Sequence, residues 1–332
     1  MDTPSAWTPG TLLETSGYYW KTATLHAGVS LDVFSVIGDG ELTAVEVADA
    51  LGAVADPTER LINALAGMGL LVKSDGRYRN TESSRAYLCR DADGYIGYMI
   101  RHHHHLAESW ARLDESVRTG RPVRTRPSFE DAERRESFLM GMFNLAMSLA
   151  PKVVAAVDLS DRTRLLDLGG GPGTYAIHFC RENSDLRATV FDLPTTRPFA
   201  ERTIARFGLA DRIDFAGGSY LDDPVPGGFD AAWLSHVLHG ESPAGAEMII
   251  RKAAGALVPG GVILVHDFIL DDGGDQPPFP ALFSLNMLLG TDGGRAYTDA
   301  EIRKMLEAAG AGEIRRLDFR GTNDTGIIAG RV

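Results

Sequence analysis

A run of glycines between an apolar stretch and a helical pattern carries the strongest chemical signal in the sequence. Leu165–Phe179 reads LLDLGGGPGTYAIHF. Glycine lets the backbone turn sharply and approach a ligand closely, where a Cβ would block it. Because this loop follows a predicted strand and precedes a predicted helix, we interpret it as a nucleotide-binding corner.

The spacing of the loop indicates which nucleotide it holds. It reads Asp-x-Gly-x-Gly-x-Gly, whereas dinucleotide loops read G-x-G-x-x-G and phosphate-binding loops end in Gly-Lys-Ser/Thr. The acidic Asp167 suits a cationic ligand without pyrophosphate, such as S-adenosylmethionine. The next predicted strand ends in FDLP, which places Asp192 to accept hydrogen bonds from both ribose hydroxyls. The alternative for Asp192 is a simple turn residue at a strand end.

His239, in the segment VLHGE, follows a predicted strand at the edge of the sheet where α/β proteins bind ligands. A phenol has a pKa near 10, so methyl transfer to its oxygen speeds up when a base removes the proton. Histidine, with an ordinary pKa near 6.5, suits that work. The alternative is a capping or solvent-facing histidine.

Four consecutive histidines, His102 to His105, raise the possibility of a metal site. Consecutive helical residues point about 100° apart, so four such rings cannot converge on one ion. His102 and His105 share a face, but two ligands are few for a metal site. We predict helix-packing or pocket roles for these rings and no bound metal.

The elements that must position these residues alternate between strands and helices after residue 161. This alternation predicts a parallel sheet covered on both faces, a doubly wound Rossmann-like α/β domain. The predicted strands are Arg164–Leu168, Ala188–Phe191, Ile213–Ala216, Ala231–Ser235 and Val262–His266.

The first hundred residues predict two helices followed by a hairpin, a winged-helix pattern. Thr43 and Glu46 form a capping box for a helix over Ala44–Leu51. A second helix is predicted over Thr58–Ala66, and Asp75-Gly76 predicts a tight hairpin turn. Winged helices bind DNA or serve as dimerisation scaffolds.

The scaffold interpretation is favoured because Arg60 is the only base in the would-be recognition helix, which is otherwise largely apolar. From residue 95 to 156 the chain is predicted to be mostly helical, interrupted by the polar stretch 120–128. The cluster of methionines in this part is predicted to fill the core.

Composition excludes several classes of protein. The 332 residues include 33 basic and 45 acidic side chains, a formal net charge of −12, which argues against general binding to nucleic acid or anionic membranes. The sequence has no run of roughly 18 apolar residues, so we expect no transmembrane helix. The N-terminus lacks a signal-peptide pattern. Cys89 and Cys180 are the only cysteines, so we expect a cytoplasmic protein without disulfides.

Several ordered motifs resemble the plant-type O-methyltransferases, such as the caffeate and acetylserotonin enzymes, and their bacterial relatives. The similarity extends upstream through HLAESWARLDESVRTGRP and the winged-helix region, so it covers nearly the whole chain. The matching segments are LLDLGGGPG, VFDLP, RIDFAGGSYLDDPVPGGFD, LSHVLHGE, AAGALVPGGVILVHDFIL and GGRAYTDAEIRKMLEAAG.

The resemblance implies a dimerisation domain over residues 1–100 and an S-adenosylmethionine-dependent methyltransferase domain over 101–332. Residues 101–156 would form a helical linker that contributes to the substrate pocket. It also implies a homodimer through the N-terminal domain, and a small hydroxylated, aromatic substrate. The implied cofactor-binding residues are Asp167, Gly169, Gly171, Asp192, Leu193, Gly218, Ser219, Tyr220, Ser235 and His236.

The resemblance further implies that His239 is the general base and that Asp267, in VHDFIL, orients it. Plant members use a second acid, which falls at Ala296 here, and they usually carry an acid at Ser219 and a lysine at Ser235. Transfer to carbon or nitrogen therefore remains an alternative. A second alternative is a winged-helix regulator that senses the cofactor without chemistry. The implied pocket residues are Phe138, Met142, Asn286 and Met287.

Overall fold

The computed structural model of the protein describes residues 6–125 and 132–332. These residues form two compact units. The first contains the described chain up to Ala107 together with Ala132–Asn144, and the second contains the rest. The division at residue 100, expected from the sequence, stays a prediction.

The first unit combines helices with a small three-stranded sheet of strand order β1-β3-β2. Its core contains Phe34, Ile62, Leu65, Leu71 and Tyr78, each at most 2% exposed. Its elements are α1 (Pro9–Ser30), α2 (Val33–Ile37), β1 (Leu42–Thr43), α3 (Ala44–Leu51), α4 (Ala55–Gly67), β2 (Leu71–Ser74), β3 (Arg77–Asn80) and α5 (Glu82–Leu88).

Local sequence signals explain the winged-helix part of this unit. The predicted capping box is confirmed, since the Glu46 backbone N–H donates to Thr43 Oγ1 while the Glu46 carboxylate accepts from the Thr43 N–H. The hairpin is confirmed too, and Asp75 and Gly76 take the positive φ values of 49° and 74° that its tight turn requires. Helix α4 begins at Ala55 rather than Thr58, because Pro57 is tolerated in a first helical turn.

The helical stretch after residue 95 is confirmed over the described residues, as α6 (Gly97–Trp110), α7 (Leu113–Thr119) and α8 (Ala132–Ala156). Part of the predicted interruption at 120–128 lies outside the described residues. Of the described helices, α8 is long and apolar enough to cross a membrane by length and composition. Leu149, Ala150 and Val153 of this helix lie in the core of the second unit.

The second unit is built on an eight-stranded sheet with helices on both faces, which confirms the predicted α/β fold. Its strands are β4 (Arg164–Leu168), β5 (Arg187–Asp192), β6 (Ile213–Gly217), β7 (Phe229–Ser235), β8 (Leu257–Leu270), β9 (Tyr297–Thr298), β10 (Gly312–Arg316) and β11 (Thr325–Arg331). Its helices after α8 are α9 (Thr174–Glu182), α10 (Arg197–Arg206), α11 (Pro243–Gly255), α12 (Pro278–Gly290) and α13 (Asp299–Ala308).

The sheet is mixed, which corrects the purely parallel sheet expected from the sequence. The strand order is β10-β11-β8-β7-β4-β5-β6, and β11 runs antiparallel to both of its neighbours, β8 and β10. The sequence pattern missed this edge because the last two strands are joined without a crossover helix. Strand β8 also extends to Leu257–Leu270, beyond the apolar run that predicted it.

Side chains that alternate along the strands build a core on each face of the sheet. Leu165, Trp233 and Leu264 pack on one face, and Leu166 and Val265 on the other. The order of the parallel strands reverses between β4 and β7, so their carboxyl ends open a crevice at that point. Every loop that carries a predicted cofactor residue leaves this edge.

Candidate active site

The glycine loop leaves β4 in a conformation that only glycine adopts easily. Gly169 has φ +70°, and its N–H donates to the Phe191 carbonyl at 2.8 Å. A Cβ on Gly169 would lie 2.6 Å from Val237 Cγ2, so a side chain has no room there. A Cβ on Gly171, which has φ +54°, would have no neighbouring heavy atom within 4 Å. The loop is therefore tightly packed at its start and open at its tip.

The carboxylate of Asp192 closes the loop from the neighbouring strand. Its Oδ2 accepts the Gly171 N–H at 2.8 Å, while Oδ1 accepts the Leu193 N–H at 2.7 Å and the Thr196 hydroxyl at 3.0 Å. Burial raises the pKa of Asp192, and these donors oppose that shift. The acid predicted to hold the ribose thus lies directly against the glycine loop.

Asp167 lies beneath the loop, 1% exposed. Its Oδ2 accepts the backbone N–H of Ala176 at 3.3 Å, and a Cβ on Gly170 would come within 2.5 Å of its carboxyl carbon. Burial, with a smaller contribution from the charge of Asp192, raises the pKa of Asp167 to about 7. The carboxyl group therefore packs against the glycine turn from its buried side.

The segment after β6 joins the same site. The Gly218 N–H donates to the Asp192 carbonyl at 2.9 Å. A Cβ on Gly218 would lie 2.6 Å from Phe191 Cζ, which explains a glycine at this close approach.

The side chains that follow are already hydrogen-bonded. The Ser219 hydroxyl donates to Asp222 Oδ2 at 2.9 Å, and the Tyr220 hydroxyl donates to Glu241 Oε1 at 3.2 Å. Glu241, which the sequence analysis did not single out for a role, is 5% exposed. Its proximity to Tyr220 follows from tertiary packing and has no local sequence signal.

His239 and Asp267 form the closest side-chain pair on the other side of the crevice. His239 lies in a short 3-10 turn after β7, and its Nδ1 is 2.6 Å from Asp267 Oδ1, near the end of β8. The Phe268 N–H donates to the same oxygen at 2.8 Å. Because a carboxylate only accepts, His239 carries its proton on Nδ1 and its lone pair on Nε2.

A second imidazole approaches the same carboxylate. His236 Nδ1 lies 3.6 Å from Asp267 Oδ1, and His236 has a positive φ of 57°. Burial by itself would raise the pKa of Asp267, but the adjacent rings of His239 and His236 hold it well below its usual value. The carboxylate therefore stays ionised and stabilises positive charge on either ring.

Ser235 faces a buried polar group on the neighbouring strand, β8. Its Oγ lies 2.9 Å from Nδ1 of His266, whose ring is fully buried and stacks on Trp233 at 5.5 Å between centroids. Burial lowers the pKa of His266 well below its ordinary value. The Ser235 hydroxyl, predicted as a cofactor contact, is thus held by a neutral imidazole.

A wall of phenylalanine rings borders His239, and the sequence analysis did not identify it. Phe283 meets the His239 ring edge to face at 4.8 Å, and Phe268 lies 4.4 Å from Phe283 between centroids. Phe279 lies 5.1 Å from Phe268. The spacing of Phe279 and Phe283, four apart in PFPALF, was the available signal for one apolar helix face.

The predicted pocket residues fall in both compact units. Asn286 and Met287 follow Phe283 on α12, and Asn286 Oδ1 accepts from the Arg124 guanidinium at 3.0 Å. Phe138 and Met142 lie on α8 in the first unit, where the Phe138 ring is 5.2 Å from that of His102. That all four line one pocket stays a prediction.

Ala296, where plant members have the second acid, is 4% exposed and brings no charge to the site. Among the described residues, one group has the spacing of metal ligands, namely His236, His239 and Asp267, whose ligand atoms lie within 4.8 Å of one another.

The histidine run, His102 to His105, makes a ring contact within the first unit. His104 packs edge to face on His26 at 5.4 Å, and burial together with His104 and His103 lowers the pKa of His26 to about 4.

A doubly wound sheet with a glycine corner, an acid after the second strand and a histidine–aspartate pair across the crevice defines an S-adenosylmethionine-dependent methyltransferase. Comparison with known proteins gives the family. Residues 110–311 match the O-methyltransferase domain and residues 13–90 the O-methyltransferase dimerisation domain. The chain belongs to the O-methyltransferase family, as the motifs predicted. It is an enzyme, and the non-catalytic regulator is set aside.

Individual relatives agree over nearly the full length. The chain is 38% identical to the 3-hydroxy-5-methyl-1-naphthoate 3-O-methyltransferase of Streptomyces sahachiroi, over 98% of this chain and 96% of that one. It is 30% identical to the N,N-dimethyltransferase OxyT of Streptomyces rimosus, over 78% of each. The structure of human N-acetylserotonin methyltransferase in complex with S-adenosylmethionine matches with a TM-score of 0.86 at 26% identity, covering 100% and 99%.

The raised pKa of Asp167 predicts how the substitution Asp167→Asn changes stability with pH. A carboxyl group whose pKa is raised on folding contributes less stability as pH rises from its unfolded value near 4 to its folded value of about 7. Between pH 5 and pH 8 the wild type should therefore lose up to about 3 kcal/mol more unfolding free energy than Asp167→Asn, at about 1.36 kcal/mol per pKa unit. Urea unfolding of the cofactor-free protein at both pH values measures this difference.

The exposed Asp185 in the same unit supplies the matched control. Asp185→Asn should follow the wild type at both pH values. If Asp167→Asn loses as much unfolding free energy between the two pH values as the wild type, then ionisation of the buried Asp167 carboxyl group does not destabilise the protein.

Proposed function

We propose that this enzyme methylates a hydroxyl group of a small aromatic molecule, with His239 as the general base. The observation that carries the proposal is the 2.6 Å contact between His239 Nδ1 and Asp267 Oδ1 beside a wall of phenylalanine rings. The contact holds the His239 imidazole in one orientation, and the phenylalanine rings provide a surface for a flat acceptor.

The tautomer of His239 determines which ring nitrogen can accept a proton. With the proton on Nδ1 held by Asp267, the lone pair on Nε2 accepts a proton from the acceptor hydroxyl as its oxygen becomes nucleophilic. The ionised Asp267 then stabilises the imidazolium that forms. Because His239 is 13% exposed at its side chain, the proton returns to solvent after the transfer.

The residues around the glycine loop fit S-adenosylmethionine. When bound, the cofactor supplies a methyl group on a sulfonium already activated for transfer. The open tip at Gly171 admits backbone contact with the ligand, and Asp192 stands at the loop to hold the ribose hydroxyls. Leu193, Gly218, Ser219 and Tyr220 continue the same edge toward the adenine, while Gly169 and Asp167 shape the turn.

The Ser235 and His236 side chains close the site between the cofactor and the base. Ser235 replaces the lysine of plant members and is oriented by His266. The His236 ring lies 4.7 Å from the Phe268 ring between centroids, tilted by 51°, so it continues the aromatic surface toward the cofactor edge.

An aromatic acceptor is supported by the ring geometry next to the base. Phe268, Phe279 and Phe283 have centroids 4.4 to 6.2 Å apart, the range of favourable aromatic contacts. The naphthoate named for the Streptomyces sahachiroi relative is a substrate of that shape. Asn286 and Met287 follow Phe283 on the same helix, α12, and Asn286 supplies a polar group one turn further along it.

The proposal includes a homodimer through the N-terminal unit. Helix α1 exposes several large apolar side chains, among them Leu13 at 74%, Tyr19 at 65% and Trp20 at 68%. Several large exposed apolar side chains on one helix are consistent with a surface that a partner covers, and the match to a dimerisation domain covers residues 13–90. We further propose a cytoplasmic location without nucleic-acid or membrane partners, which the net charge of −12 supports.

Transfer to carbon or nitrogen is the second candidate. The relative named N,N-dimethyltransferase shares 30% of its residues with this chain, and Ala296 removes the second acid beside the base. An oxygen nucleophile is favoured because the His239–Asp267 pair matches the need to remove a hydroxyl proton, whereas a neutral amine attacks with its own lone pair.

A panel of hydroxylated aromatics, incubated with the enzyme and methyl-labelled cofactor, tests the reaction. We expect an O-methyl ether, which NMR distinguishes from a C-methyl or N-methyl product by the chemical shift of the labelled carbon. A product methylated only at carbon or nitrogen would replace the proposed reaction with the second candidate.

Replacement of the base should separate catalysis from cofactor binding. We expect His239→Ala to lower kcat by roughly 10²–10⁴-fold, the range for loss of general base catalysis, and to leave the affinity for S-adenosylmethionine within about twofold. Asp267→Asn, which removes the charge but keeps the shape, should show a smaller loss. Unchanged turnover in His239→Ala would reject the base assignment.

Replacement of Asp192, the acid proposed to hold the ribose, should instead affect cofactor binding. We expect Asp192→Ala to weaken S-adenosylmethionine binding at least about tenfold, since it removes a charged partner of the ribose hydroxyls and one anchor of the loop. Calorimetry with S-adenosylhomocysteine measures the affinity. Asp185→Ala, a matched change at an exposed acid, should bind like the wild type, and equal affinity in both variants would refute the contact.

A further inference from the structure

Two imidazole nitrogens and one carboxylate oxygen converge where β7 and β8 end. His239 Nδ1 lies 2.6 Å and His236 Nδ1 3.6 Å from Asp267 Oδ1. The three residues each offer a ligand atom within 4.8 Å of the others. Removal of the proton from the acceptor hydroxyl requires one imidazole and its carboxylate, so the second ring, His236, takes no part in that proton transfer.

We propose that His236, His239 and Asp267 form a binding site for a divalent cation of the Zn²⁺ class, and that the bound cation switches the base off. Imidazole nitrogen and carboxylate oxygen are the ligands that Zn²⁺ takes in sites with three protein ligands and one open position. Hard cations such as Mg²⁺ prefer oxygen ligands. The binding itself is independent of the proposed reaction, and the inhibition rests on His239 being the base.

The spacing of the three residues suits such an ion. Bond lengths of 2.0–2.2 Å place tetrahedral ligands about 3.3 Å apart. The observed separations, 2.6 and 3.6 Å to the shared oxygen, bracket that value. All three ligand atoms lie within 4.8 Å of one another, which bounds the separation of the two imidazole nitrogens.

Both ends of the site are held by the backbone. The Phe268 N–H fixes Asp267 Oδ1 at 2.8 Å, and the His236 N–H donates to the His266 carbonyl at 2.8 Å. His236 has a left-handed backbone, a conformation that costs energy for a non-glycine residue and clusters at functional sites. Its side chain is 25% exposed, against 4% for Asp267, which gives an ion access from the His236 side.

The inhibition follows from the tautomer of His239. The active base carries its proton on Nδ1 and its lone pair on Nε2. A cation that binds the Nδ1 lone pair leaves the neutral ring with its single proton on Nε2, moved there through solvent. The ring then has no lone pair for the acceptor hydroxyl, and Asp267 is neutralised by the cation.

Cation binding to the cofactor-free, full-length enzyme tests the site without substrate. After treatment with a chelator, we titrate Co²⁺ and record its visible d–d absorption, then displace it with Zn²⁺ and measure the Zn²⁺ affinity by calorimetry. We expect one tight site per chain, with Mg²⁺ binding at least about 100-fold more weakly, as its oxygen preference requires.

Three substitutions should weaken Zn²⁺ binding by more than about tenfold each, namely His236→Asn, His239→Gln and Asp267→Asn. Asparagine is chosen at position 236 because it tolerates the left-handed backbone there. His104→Gln, in the histidine run of the first unit, is the matched control and should keep the tight site. Circular dichroism and urea unfolding show whether each variant is folded.

A second measurement reads the tautomer directly. Nitrogen-15 NMR of labelled histidine should show His239 protonated at Nδ1 without metal and at Nε2 with Zn²⁺. The proposal is overturned if Zn²⁺ binds equally to His236→Asn, if His104→Gln removes the tight site, or if the His239 tautomer is unchanged by Zn²⁺. None of these outcomes depends on which acceptor the enzyme methylates, so they are distinct from failure of the proposed function.

Discussion

The hydrogen bond between His239 and Asp267 is the interaction around which the catalytic half of the site is arranged. Asp267 is buried, so its charge is tolerated only because donors surround it: the His239 ring, the Phe268 N–H and, at greater distance, the His236 ring. This requirement fixes the tautomer of His239. It also places the aromatic wall, since Phe268 is both the donor to Asp267 and the neighbour of Phe283.

The cofactor half depends on a comparable constraint from the other side of the crevice. Asp192 Oδ2 holds the Gly171 N–H, while the buried Asp167 leaves no room for a side chain at Gly170. The loop is thus tied to two adjacent strands, β4 and β5. The two halves face each other because the strand order reverses between β4 and β7, which opens the crevice at their carboxyl ends.

Local signals in the sequence were sufficient for the elements and for the first residues of the site. The capping box at Thr43 and the turn at Asp75-Gly76 depend on contacts within a few residues, so they were predictable. Gly169 directly follows β4, Asp192 ends β5, and His239 lies in the turn after β7. Position near the end of a strand is readable from the sequence. The antiparallel edge formed by β10 and β11 was missed, because its pairing joins strands without the helix that marks a parallel crossover.

The sequence by itself determined the family, the α/β fold and the glycine corner, and it singled out His239 as the residue proposed to be the base. The tertiary structure alone decided which side chains surround that histidine. Phe279 and Phe283 come from α12, Glu241 meets Tyr220 across the crevice, and His236 reaches the carboxylate that His239 uses. These contacts join residues on different elements, and no spacing along the chain encodes them, because the packing of the sheet and its helices sets how those elements meet.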